Sequence, residues 1–70
     1  MYRSEVSLWE DTVEKSPMNA RAHNNLGFAY ANTGRPGEAL AEYQEALKLR
    51  PGYKTAKENL DALRSSLYEN

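Results

Sequence analysis

The sequence predicts an all-α domain of four helices, folded as helix–turn–helix hairpins that stack side by side. Three observations carry this. Apolar residues recur at steps of three and four in four separate windows, which is the spacing of one helical face. Pro and Gly punctuate the chain between those windows, at Pro17, Gly34, Pro36 and Pro51-Gly52. Laid on itself with Pro17 over Pro51, an offset of 34, the chain also aligns Ala22 with Ala56, Asn25 with Asn59 and Leu26 with Leu60. The same offset sets Val6, Trp9 and Val13 over Leu40, Tyr43 and Leu47. Nearly all these matches fall on apolar-face or breaker positions.

The first helix runs from Ser4 to Lys15. Tyr2, Val6, Trp9 and Val13 follow at steps of four, three and four, and Leu8 and Thr12 are expected to widen that stripe. Asp11 and Lys15 are four apart and pair, adding about 0.3 kcal/mol. Ser16-Pro17 stops the helix, because the residue before proline is pushed out of the α region. Asn19 caps the second helix, about Ala20 to Thr33, whose apolar positions are Ala22, Leu26, Ala29, Tyr30 and Thr33. Gly27 sits mid-helix at a cost of about 1 kcal/mol relative to Ala. A neighbouring helix crossing close against its backbone explains it. Gly34 ends the helix in the left-handed conformation.

Pro36 opens the third helix, since its fixed φ suits the first turn. Ala39, Leu40, Tyr43, Ala46 and Leu47 form its buried stripe as far as about Leu49, and Glu38, Glu42 and Glu45 its wet side. After Pro51-Gly52 a fourth helix runs from about Lys54 to Tyr68, with Ala56, Leu60, Leu63 and Leu67 as its apolar face. Its other faces are polar, which suits the exposed end of a stack.

Size and charge narrow the function. Seventy residues make one domain, and the chain has no Cys to staple it. Nine basic residues against ten acidic give a net charge of −1, which argues against a nucleic-acid binder that works through phosphate contacts. No apolar run approaches the roughly 20 residues that span a membrane, and the N-terminal segment is charged and amphipathic, unlike a signal peptide. The expectation is no membrane contact by this segment.

No catalytic constellation is legible, so an enzyme is not expected, nor a cofactor or metal. His23 is the one histidine, and it reads as a helix-contact residue. Gly34-x-x-Gly37 has no Lys after it and is a turn, not a phosphate loop. Trp9, Tyr30, Tyr43 and Tyr53 have the helical spacing of core residues. Phe28 lies off the main stripe.

His23-x2-Leu26-Gly27-x2-Tyr30, then Ala39-x3-Tyr43, then Pro51 follow the pattern W-x2-L-G-x2-Y, A-x3-F, P, with His for Trp and Tyr for Phe. On these residues the chain resembles the tetratricopeptide repeat family, whose period is 34 residues and two helices. The resemblance implies a right-handed α-solenoid fragment covering residues 1–70. Residues 20–53 would be one complete repeat, 4–15 the second helix of a preceding repeat and 54–68 a closing, solvating helix. It implies a protein or peptide partner held on a concave groove, with Arg21, Asn24, Asn25, Phe28, Asn32 and Asn59 as candidate contacts. The clamp for chaperone C-terminal carboxylates that some members carry is not expected. Asn25 and Asn59 suit it, but Phe28, Ala62 and Glu58 do not. A pentatricopeptide-like RNA reader has a similar period but needs a basic face. The alternatives are self-association, as a homo-oligomer through an uncovered first helix, and a docking or regulatory region of a larger membrane glycosyltransferase. For the last, Leu8 to Ala22 resembles the start of the repeats in bacterial membrane proteins of O-mannosyltransferase-like type. That would make the chain a fragment with an added Met1.

Overall fold

The computed structural model describes residues 4–68. Four helices follow in order: α1 (Glu5–Lys15), α2 (Ala20–Asn32), α3 (Pro36–Leu49) and α4 (Lys54–Tyr68). Tyr2, expected at the start of the first apolar stripe, lies outside the described residues. The links 16–19, 33–35 and 50–53 are too short to let a packed neighbour run in any sense but antiparallel. The result is a slab of 36 × 28 × 14 Å.

Each boundary has a local cause. Ser4 lies outside α1 as its N-cap, and its side chain accepts from the Ser7 N–H. The Asn19 side chain does the same for Ala22, at 3.1 Å. Thr33, expected as the last apolar position of α2, is instead its exposed C-cap. The Thr33 hydroxyl donates to the Ala29 carbonyl, which the helix end leaves open, and also lies within reach of the Tyr30 carbonyl. Gly34 takes φ +77°, which lets the Arg35 N–H return to the Tyr30 carbonyl at 2.9 Å. Pro36 then stands at the start of α3, where no N–H is needed.

Val6, Leu26, Ala29, Tyr30, Ala39, Tyr43 and Leu60 make the core, with Trp9, Val13, Leu40, Leu47 and Leu63 half-buried against it. Two expected core residues are exposed. Leu8 is 49% exposed because it lies roughly 130° around α1 from the Val6–Trp9–Val13 stripe. Leu67 is 41% exposed, in the last turn of α4. The close helix crossing expected at Gly27 is present. A Cβ built there would lie 2.8 Å from the Tyr43 ring and 3.2 Å from the Ala39 carbonyl oxygen.

Each helix packs on its neighbour in sequence, and α4 also reaches α2. No Cα of α1 comes within 8 Å of one in α3.

Candidate functional site

The six residues expected to face a partner divide into two groups. Arg21, Phe28 and Asn32 are exposed and Asn25 is half-buried. These four stand at steps of four, three and four, so they form one row along α2, turned away from the core. Phe28 is 51% exposed, which is unusual for a Phe in a well-packed helix.

Asn24 does not join that row. It is 4% exposed, and its Oδ1 accepts from Asn59 Nδ2 of α4 at 3.1 Å. The expectation of an open Asn24 is corrected by this contact: its carbonyl serves the packing of α4 on α2. A buried amide needs such a partner.

Two further polar ties cross from helix to helix. The Tyr30 hydroxyl donates to Glu10 Oε2 of α1 at 2.6 Å. Burial first, and then that carboxylate, push the Tyr30 phenol up to about 12. The Arg35 guanidinium lies 5.3 Å above the same ring. His23 is buried, with Nδ1 2.7 Å from Glu42 Oε1 on α3 and Nε2 2.6 Å from the Pro17 carbonyl oxygen. Glu42, expected on the wet side of α3, is therefore turned partly inward, its side chain 23% exposed. His23 thus does touch a neighbouring helix, as expected, but through charge and hydrogen bonds more than apolar packing. Sequence spacing gave no sign of the Glu10, Glu42 and Asn59 contacts, which join residues 19 to 35 positions apart.

Among the described residues there is no pocket, and no cluster of three or more His, Cys, Asp or Glu that could hold a metal ion. No helix is long and apolar enough to cross a membrane.

The geometry is that of a helix hairpin with a glycine crossing and flanking helices on both sides. The pattern of the tetratricopeptide repeat matches residues 20–53. Residues 20–53 are thus a tetratricopeptide repeat. Such repeats mediate protein–protein interaction. The chain is 35% identical over 69 residues to the mouse protein O-mannosyl-transferase TMTC1, covering 99% of this chain and 7% of that protein. It is 38% identical over 60 residues to the petunia probable UDP-N-acetylglucosamine–peptide N-acetylglucosaminyltransferase SPINDLY, covering 86% and 6%. It is 33% identical over 55 residues to the peroxisomal targeting signal receptor of Saccharomyces cerevisiae, covering 79% and 9%. The chain thus spans less than a tenth of the length of these relatives. The tetratricopeptide match covers α2 and α3 whole and leaves α1 and α4 outside it.

Proposed function

We propose that this chain is a protein–protein interaction module that holds a peptide or protein segment against the face shared by α2 and α4. The row Arg21, Asn25, Phe28, Asn32 carries the reading. An exposed Phe gives an apolar side chain somewhere to rest, and amide groups beside it can hold the backbone of an extended chain. The placement of the helices supports it. α4 reaches α2 across α3, whereas α1 stays clear of α3. A row of helices bent in this way has α2 and α4 on its inner side. The Asn24–Asn59 pair is the floor between them. In this reading α4 closes the module, since its outward positions Lys57, Glu58, Asp61 and Arg64 are exposed and polar.

The test is a two-dimensional NMR titration of candidate peptides onto the parent, Asn25→Ala and Phe28→Ala chains. Shifts gathered at Arg21, Phe28, Asn32 and Asn59, with binding lost in Phe28→Ala, are expected. Binding whose shifts stay on the outer sides of α1 and α3 would refute the assignment. Phe28→Ala should fold normally, because the ring is already half in water.

The likeness to the O-mannosyl-transferase favours a second reading, in which the same module is a docking or regulatory region within a larger transferase. The full reading frame around this segment tests it. Self-association is the competing use of the surface, supported by exposed Leu8 on α1. Sedimentation across a concentration series separates it from peptide binding.

A further inference from the structure

His23 is held by two groups that can only accept hydrogen bonds. The Pro17 carbonyl oxygen faces Nε2 at 2.6 Å, so that nitrogen must carry a proton. The Glu42 carboxylate faces Nδ1 at 2.7 Å, and a carboxylate also only accepts. A ring that donates from both nitrogens is the imidazolium. A neutral ring in the same place would set the Nδ1 lone pair against Glu42 Oε1 at hydrogen-bond distance, and the two would repel.

We propose that His23 is a pH-sensitive clasp between successive repeat units. Its imidazolium ties the link after α1, through Pro17, to α3 of the following hairpin, through Glu42. Loss of one proton breaks the Glu42 bond and loosens the α1–α2 link from that hairpin. The repeat pattern has Trp at this position, a side chain that packs but does not titrate. Here the same junction is held by a group that titrates near neutrality.

The charged groups that face the ring are Glu42 and Glu45, both on α3. The link contributes the Pro17 carbonyl, and α2 carries the ring itself. Burial pulls the imidazole pKa down. The Glu42 hydrogen bond, the Pro17 carbonyl and the negative fields of Glu42 and Glu45 together outweigh it, so the net displacement is above the ordinary 6.5. A folded-state pKa above the unfolded one gives stability that is whole below 6.5 and is lost as pH rises through the folded value. This clasp acts independently of which partner the α2–α4 face holds.

With one histidine in the chain, its ring signals need no assignment by elimination. The experiment is long-range proton–nitrogen NMR of the labelled chain from about pH 5 to about pH 9, with backbone spectra at each point. The expected result is both ring nitrogens in the imidazolium range at the acid end of the series and a midpoint above 6.5. The amides of Met18, Asn19 and Glu42 should move with that same midpoint. Glu42→Gln keeps an acceptor but removes the charge, and should bring the midpoint back to 6.5 or below. Its side chain is partly exposed, so this variant should fold where a His23 variant need not. A midpoint at or below 6.5 in the parent chain would overturn the proposal. So would a midpoint unmoved in Glu42→Gln, or link amides that ignore the titration.

Discussion

Gly27→Ala is the sharpest test of the packing. In an ordinary helix interior this change stabilises by about 1 kcal/mol, because Ala loses less backbone freedom than Gly. Here the new methyl would sit 2.8 Å from two ring carbons of Tyr43 and 3.2 Å from the Ala39 carbonyl oxygen. Tyr43 is the largest fully buried side chain among the described residues, so its ring can move only by displacing what packs on it. The other obstacle is backbone, which moves only if α3 shifts as a body. Overpacking costs about 1–3 kcal/mol, and a buried ring and a backbone oxygen met together put it at about 2–3, so after the gain of about 1 a net loss of about 1–2 kcal/mol is expected. For a domain of this size that lowers Tm by roughly 4–15 °C. Thermal and urea unfolding followed by circular dichroism measure it. Gly37→Ala, in the first turns of α3 with nothing within 4 Å of a built Cβ, is the control and should be neutral or stabilising. In a Tyr43→Leu background the Gly27→Ala penalty should shrink, because the flat ring is gone. A Gly27→Ala chain that melts with or above the parent would refute the argument that α2 and α3 touch through this glycine.

Two further outcomes follow from the core. Leu26→Ala removes a side chain that is 3% exposed and should cost about 2–5 kcal/mol, with a smaller loss for the half-buried Leu40→Ala. Parent-like urea melting in both variants would mean that the helix register is wrong. On the alkaline side, Tyr30 has its folded pKa raised to about 12 from 10.0, so its contribution is whole below 10 and is lost as pH climbs towards 12. Phenolate absorbance and helicity followed together should show late tyrosine ionisation, from Tyr30 and the buried Tyr43, that coincides with unfolding. A Tyr30 that ionises near 10.0, the helices staying intact, would contradict that.

Much of the fold is legible in the sequence because its causes are local. Asn19, Gly34, Pro36 and Pro51 each act on the backbone within one turn of themselves, so helix ends can be read almost to the residue. Gly27 is legible for a related reason: a mid-helix Gly is costly unless something lies against it. Leu8 and Leu67 show where periodicity stops being enough. Angle around a helix axis decides the first, and how far a neighbouring helix extends decides the second. The candidate site is legible only in part. Helical spacing puts Arg21, Asn25, Phe28 and Asn32 in one row, but it does not tell how close the next helix comes. That distance is what takes Asn24 out of solvent and gives its oxygen to Asn59. The Glu10 and Glu42 contacts were hidden for the same reason. Glu42 reads from its own helix as a solvated acid, and only the pairing of helices far apart in sequence brings an imidazole to it and a hydroxyl to Glu10.

The mainly sequential packing of the helices bears on how the chain folds. Because α1 meets α2, α2 meets α3 and α3 meets α4, most contacts join residues less than a repeat apart. Little loop-closure entropy stands between the unfolded chain and its first native contacts, which favours folding on a microsecond to millisecond scale. It also lets order spread outward from the central α2–α3 hairpin. In that order α1 and α4 settle after the hairpin they pack on.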